Sequence, residues 1–177
     1  MNQYDVIVIG AGAGGYIAAI RSAEAGLKTA IIERDALGGV CLNVGCIPSK
    51  SLLKNAEVAR TLRKSAAAFG VSFDNLQLDY AAAVERSRKV SKRLNQGVAF
   101  LMKKNAIDVH EGTAVFEDAH SIRVEKADGS SEPLTARFFI IAAGTHAFDI
   151  PGVTPDGEKI LNYRQAILQT KRPESVV

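Results

Sequence analysis

Apolar positions recur along this chain with two different spacings, and the switches between them outline the elements. Asp5-Val6-Ile7-Val8-Ile9 ends in an unbroken β-branched run, which predicts a central parallel strand buried on both faces. Gly10-Ala11-Gly12-Ala13-Gly14-Gly15 interrupts it, and a helical pattern then runs through Ala25 until Gly26 closes it. Lys28 to Glu33 reads as a second strand, completing a strand–helix–strand unit. From Ile47 to about Phe69 the pattern is helical, with Leu52, Leu53, Ala56, Ala59 and Leu62 as its apolar positions and Gly70 near its end. Leu76 to Lys104 predicts another long helix. Tyr80, Val84, Leu94, Val98 and Leu101 share one of its faces, and Arg86, Arg88, Lys89, Lys92 and Arg93 occupy the other. Ile107 to Gly112 reads as a further parallel strand. Thr113 to Phe116, Ser121 to Lys126 and Pro133 to Phe139 are short β-prone runs, the last two separated by the turn signal Asp128-Gly129, and they predict an antiparallel meander. The last run leads into Phe139-Ile140-Ile141-Ala142-Ala143-Gly144-Thr145, an apolar strand that stops in a turn of small residues.

Strands alternating with helices indicate an α/β fold with a parallel sheet. With 177 residues the chain is long enough for one domain with a real core and too short for two full nucleotide-binding domains. The hydrophobic fraction of 47% and charged fraction of 23% are ordinary for a globular protein, and the net charge of +3 is slight. No stretch reaches the length of a membrane span, and Met1 to Ile9 has no charged leader before a long apolar core. The expectation is a cytoplasmic protein without a membrane partner. The basic face of the second long helix reads as solvated, because no aromatic or groove-reading motif accompanies it, so no nucleic-acid partner is expected.

The glycine run after the first strand has a mechanical logic. Gly10 permits a tight turn, Gly12 lets the backbone approach a pyrophosphate, and Gly15 lets helix and strand pack closely, while the helix N-terminus faces the phosphates. Glu33, at the end of the second strand, stands where a carboxylate accepts hydrogen bonds from an adenosine ribose. A carboxylate there disfavours a 2′-phosphorylated cofactor, since two negative charges would meet. This pattern indicates a bound dinucleotide and does not separate FAD from NAD.

Both cysteines lie in Gly38-Gly39-Val40-Cys41-Leu42-Asn43-Val44-Gly45-Cys46-Ile47-Pro48-Ser49-Lys50. On a regular helix residues five apart are separated by roughly 8 to 9 Å at Cα, whereas a disulfide needs about 4.4 to 6.8 Å. Cys41 and Cys46 can bridge only if the backbone between them leaves the helix, and Gly45 and Pro48 supply the means. Both sulfurs are then expected near the N-terminal end of the following helix, where its dipole and Lys50 favour a thiolate. A redox-active dithiol competes with a structural disulfide, with two inert buried cysteines and with a zinc half-site. The three scattered histidines, His110, His120 and His146, supply no obvious further zinc ligands, so no metal is expected.

The segment Leu37 to Leu53 resembles the active-site segment of flavin-dependent disulfide reductases, and most nearly that of the dihydrolipoamide dehydrogenases. Glutathione and mercuric reductases carry a related segment, typically with Thr where this chain has Val40. The resemblance implies a Rossmann-like FAD-binding domain with a helical pair after the cysteines, spanning residues 1–150, and a connector over 151–177. It implies FAD contacts from Gly10, Gly12, Gly14, Gly15, Glu33, Arg34, Gly38, Gly39, Val40, Cys41, Cys46, Lys50, Ala114, Ala143, Gly144 and Thr145. Cys41 would be the interchange thiol, Cys46 the thiol against the flavin ring and Lys50 a fixed charge near flavin N5. Dihydrolipoamide would be oxidised through a Cys41–Cys46 disulfide and FAD, with NAD as the final acceptor. The other implied partners are the lipoyl group of a 2-oxo acid dehydrogenase complex and a second subunit. The alternatives are another flavin disulfide reductase, of mercuric or glutathione type, or a non-catalytic flavin-binding module.

The resemblance covers essentially the whole chain but only the first part of that family's architecture. Val176-Val177, after Arg172-Pro173-Glu174-Ser175, looks like the start of the strand that leads to the family's NAD fingerprint. That NAD site, a central domain and an interface domain with a His-Glu base lie outside the resemblance, so the expectation is a piece not competent alone. Within it, Ala114 stands where the family usually has glycine, and Thr145-His146-Ala147 replaces a usual Ser-Arg-Pro. The loop from Glu33 to Gly38 is one residue shorter than in some relatives. His146 is read as an exposed loop residue without a role.

Overall fold

A computed structural model describes residues 3–148 and 150–177. The chain divides into two compact units, one formed by Met1–Cys41 with Arg93–His146, the other by Leu42–Lys92 with Ala147–Val177.

The first unit contains all the named strands: β1 (Tyr4–Ile9), β2 (Thr29–Glu33), β3 (Asp108–Glu111), β4 (Thr113–Phe116), β5 (Ser121–Glu125) and β6 (Ser131–Ile141). They form one six-stranded sheet in the order β3-β2-β1-β6-β5-β4. The pairs β3-β2, β2-β1 and β1-β6 are parallel, and β6-β5 and β5-β4 are antiparallel. Helix α1 (Ala13–Glu24) makes the crossover from β1 to β2. Val6, Ile7 and Val8 are all buried, as a strand covered on both faces requires.

The sequence predicts a meander strand feeding a separate apolar strand, and the structure joins these into β6. Its first half runs antiparallel to β5, with Thr135 opposite Ser121. Its second half runs parallel to β1, with Phe139 opposite Ile7. The meander thereby shares a core with the parallel strands: Tyr4, Ile7, Ala30 and Ile32 pack with Ile122, Val124, Leu134 and Ala136. Burying each large aliphatic side chain of this group contributes about 1.5–3 kcal/mol.

A polar network closes one edge of that core. The Tyr4 hydroxyl donates to Asp108 Oδ2 at 2.9 Å and lies 3.1 Å from His110 Nε2. The other nitrogen of His110 bonds Glu132, whose second oxygen accepts from Lys126 Nζ at 3.0 Å. Burial, followed by the bond to the Asp108 carboxylate, pushes the Tyr4 phenol up to about 12.

The second unit holds α3 (Cys46–Ser65), which tightens into a 3-10 turn over Ala66–Phe69 and stops at Gly70 with φ +68°. Helix α4 (Tyr80–Lys104) begins in this unit and continues into the first. It starts four residues later than the sequence predicts, because Asp79 caps it: Oδ1 accepts from Ala82 N at 3.0 Å. Its buried positions are Val84, Ser87, Ser91, Val98 and Met102, whereas Leu94, expected on the apolar face, is 41% exposed. Two serines complete the buried stripe in place of larger side chains. Ser87 bonds the Val84 carbonyl at 2.6 Å. A further helix, α5 (Tyr163–Leu168), lies in the stretch expected to be only a connector, opened by a capping box between Asn162 and Gln165. Among the described residues no helix is long and apolar enough to cross a membrane.

Candidate functional site

The glycines after β1 fall into two classes. A methyl group on Gly10 would stand 2.4 Å from the Ala142 carbonyl oxygen, and one on Gly15 only 1.8 Å from that of Gly10, so these two are demanded by the protein's own packing. Gly12 and Gly14 would meet nothing within 4 Å. The open side of the loop is therefore at Gly12, the N-cap of α1, where no side chain satisfies the first-turn N–H groups. An uncapped helix start with unoccupied space before it suits a phosphate group, and the residues fit a dinucleotide.

The loop is held from both sides. Ala11 N donates to Glu33 Oε2 at 2.7 Å, and the Ala11 carbonyl accepts from Gly38 N at 2.8 Å. The other Glu33 oxygen accepts from Asp35 N at 2.9 Å. Glu33 thus braces the glycine loop through both of its side-chain oxygens. Gly112 N donates to the Glu33 carbonyl at 2.9 Å, which puts Ala114 two residues beyond this end of β2. The Ala114 methyl packs on the core cluster. Ala143 follows the Ala142 contact to Gly10, and Gly144 (φ +71°) and exposed Thr145 complete the turn after β6. Arg34 and Val40 are exposed, as is His146.

Cys41 lies on a short helix, α2 (Gly39–Val44), and Cys46 is the first residue of α3. Cys46 is thus the first residue of the long helix, and Cys41 sits on the short helix before it. Between them Gly45, at φ −132° and ψ −112°, breaks the helix. The next turn is closed by Ser49, whose N and Oγ both donate to the Gly45 carbonyl at 3.1 and 2.6 Å. Pro48 offers no N–H to the Val44 carbonyl. With the helix broken, the two cysteines are joined as a disulfide. Cys46 and Lys50, one turn apart on α3, are both exposed.

Several supporting residues escape sequence reasoning. Asn95 Nδ2 donates to the Leu37 carbonyl at 2.6 Å, holding the stretch before Gly38. Arg86 and Arg88, expected on a solvated face, are engaged instead: Arg86 with Ser51 Oγ at 2.8 Å and Asn55 Oδ1 at 3.0 Å, Arg88 with the Asn43 carbonyl. No local signal marks these contacts, since the partners are 31 to 58 residues apart in sequence. Among the described residues no group of three or more His, Cys, Asp or Glu is placed to hold a metal ion.

The chain is 48% identical to the dihydrolipoyl dehydrogenase of Mycobacterium tuberculosis over 177 residues, which are 100% of this chain and 38% of that protein. It is 47% identical to the protein of the same name from Chlorobaculum tepidum, covering 99% of this chain and 37% of the relative. For the Bacillus subtilis dihydrolipoyl dehydrogenase the identity is 40%, over 99% and 39%. The crystal structure of LpdA from Mycobacterium tuberculosis superposes with a TM-score of 0.83 at 25% identity, covering 94% of this chain and 38% of that one. The chain thus spans about two fifths of the length of these curated relatives. The sequence model described as pyridine nucleotide-disulphide oxidoreductase matches residues 4–177. With its glycine loop, its broken helix and this match over nearly all its length, the chain belongs to the pyridine nucleotide-disulphide oxidoreductase family.

Proposed function

We propose that this chain is the FAD-binding, disulfide-bearing part of a dihydrolipoyl dehydrogenase. One observation carries the proposal: a disulfide spans the helix break at Gly45, its first cysteine stands two residues after Gly39, and Gly39 itself packs on the glycine loop at Gly12. On this reading residues 1–150 form the FAD domain and 151–177 lead toward an NAD-binding domain. The complete protein would act as a homodimer on the lipoyl group of a 2-oxo acid dehydrogenase complex.

The chemistry that these residues perform is thiol–disulfide exchange. A thiolate of the dihydrolipoyl group attacks Cys41 Sγ, the Cys41–Cys46 bond breaks, and Cys46 leaves as a thiolate. The second substrate thiolate then attacks the substrate sulfur of the mixed disulfide, closing the lipoyl ring and releasing Cys41. The substrate has lost two electrons, the cysteine pair has gained them, and two protons are released from the substrate thiols. Cys46 suits the leaving role because it begins the 20-residue helix α3, whose dipole stabilises an anion at that end. Lys50, one turn on, adds a positive charge on the same face. FAD, when bound, supplies a two-electron acceptor that returns the dithiol to a disulfide, with NAD as the terminal acceptor.

The test is the complete protein loaded with FAD and assayed with dihydrolipoamide and NAD, in parallel with glutathione disulfide and Hg(II), each offered with NADH or NADPH as the electron donor. Turnover of dihydrolipoamide that is lost in both Cys41→Ser and Cys46→Ser supports the proposal. Flavin-loaded protein that ignores dihydrolipoamide and reduces one of the other two overturns it.

A further inference from the structure

The separation of the two sulfurs is decided where the helix breaks, and residues of α4 hold the chain on both sides of that break. Asn43 lies between the cysteines near the C-terminal end of α2, the negative end of the helix dipole. Arg88 donates a charge-assisted hydrogen bond to the Asn43 carbonyl. Two residues earlier, Arg86 donates to Ser51 Oγ at 2.8 Å and to Asn55 Oδ1 at 3.0 Å, tying down the opening turns of the helix that starts at Cys46. Two arginines of α4 therefore grip the chain on either side of Gly45. Lys89, beside them, pairs within its own helix with Glu85 at 2.7 Å and has 74% of its side chain exposed.

We infer that Arg88, with Arg86 as its second anchor, is a positioning residue that sets the dithiol–disulfide equilibrium of Cys41 and Cys46. The inference rests on the proposed redox role of that pair. An intramolecular disulfide forms against an external dithiol to the extent that each thiol is concentrated at the other. Holding the Asn43 carbonyl and the start of α3 keeps that effective concentration high. Releasing the carbonyl lets the intervening residues relax, and the disulfide becomes easier to reduce.

The experiment equilibrates the complete flavin-loaded protein, without oxygen, against graded ratios of reduced to oxidised dithiothreitol. In the exchange dithiothreitol gives up two electrons and closes its ring while the protein disulfide opens to two thiols. Alkylation and mass measurement then count free cysteines. Wild type is compared with Arg88→Leu, Arg88→Gln, Arg88→Lys and Lys89→Leu, each checked for fold by circular dichroism. Loss of part of one charge-assisted bond should move the Arg88→Leu midpoint about 3- to 10-fold toward the dithiol. Arg88→Gln should move less in the same direction, and Arg88→Lys should recover much of the wild-type value. Lys89→Leu should titrate with wild type. If Arg88→Leu does not fold, the Gln and Lys variants carry the comparison. Variants at Arg88 that titrate with wild type, or that move toward the disulfide, overturn the positioning role and leave the redox reading standing. A wild-type pair that does not titrate reversibly overturns both.

Discussion

Gly39 packs against Gly12: a methyl group on Gly39 would stand 2.6 Å from the Gly12 Cα, and the Gly39 backbone has φ +58°. The start of α2 is thus seated on the glycine loop, in contact too close for any side chain. The contact runs one way, because a methyl group on Gly12 would meet nothing within 4 Å. Gly39→Ala should therefore destabilise the fold by about 2 kcal/mol or more, from backbone strain and overpacking together. Gly12→Ala should change stability of the flavin-free protein by less than about 1 kcal/mol, the usual cost of alanine at an N-cap. It should nevertheless weaken flavin retention strongly. Thermal melts with and without FAD, alongside the flavin absorbance of purified protein, separate the two effects.

Glu33 uses one oxygen for Ala11 N and the other for Asp35 N. Glutamine has a single acceptor oxygen, so Glu33→Gln turns an amide N–H₂ toward one of these donors. The expected loss is about 1–2 kcal/mol in the absence of FAD, measured by denaturant unfolding. A variant as stable as wild type would show that the brace on the glycine loop is dispensable.

The network at the sheet edge makes stability depend on pH in a defined direction. The Lys126 ammonium, and after it His110, hold the Glu132 carboxyl below its ordinary range. A carboxyl with a lower pKa in the folded chain stabilises the fold above the ordinary glutamate value and loses that contribution as pH falls through the lowered one. The fall in melting temperature from about pH 5 to pH 3 should be shallower in Glu132→Gln than in wild type. Several aspartates share the acid sensitivity, Asp5 and Asp118 among them, so the slope should shrink without vanishing.

Tyr4 works in the opposite sense. Its phenol, raised to about 12, favours the fold while protonated, and that contribution fades as pH climbs from the ordinary tyrosine value through the raised one. Ultraviolet titration should find one of the four tyrosines ionising late, and Tyr4→Phe should remove that component. The same variant gives up the bond to Asp108 and should cost about 1–2 kcal/mol.

Ala106 closes α4 with φ +51°, the described non-glycine residue held in the left-handed region. A left-handed conformation costs an L-residue roughly 1–2 kcal/mol, partly offset by the greater freedom of glycine in the unfolded chain. Ala106→Gly should therefore raise stability by about 0.5 kcal/mol, visible as a higher denaturation midpoint.

Much of the local geometry of the candidate site was legible because it lies in short stretches of chain. β1, the glycine turn and α1 follow from an apolar run meeting closely spaced glycines, and Glu33 falls at the end of β2 by the length of one strand–helix–strand unit. The need for a helix break between the cysteines follows from helix geometry, and Gly45 provides it. The separate helix carrying Cys41 was less legible, since its six residues are too few for a period to emerge. Helix α5 did carry a readable sign, asparagine three residues before glutamine, in a stretch otherwise taken for a connector.

By itself, then, the sequence determined the order of strands and helices, the glycine turn after the first strand and the closely spaced cysteines, since each depends on neighbours a few residues away. Only the tertiary structure decided that β6 is one strand serving two partners, that Glu33 braces the loop beside it, and that two arginines of an apparently solvated face hold the chain around the cysteines. Such pairings join residues far apart in the chain, where periodicity carries no information. Whether a charged side chain ends in water or on a carbonyl depends on which backbone the fold brings within its reach.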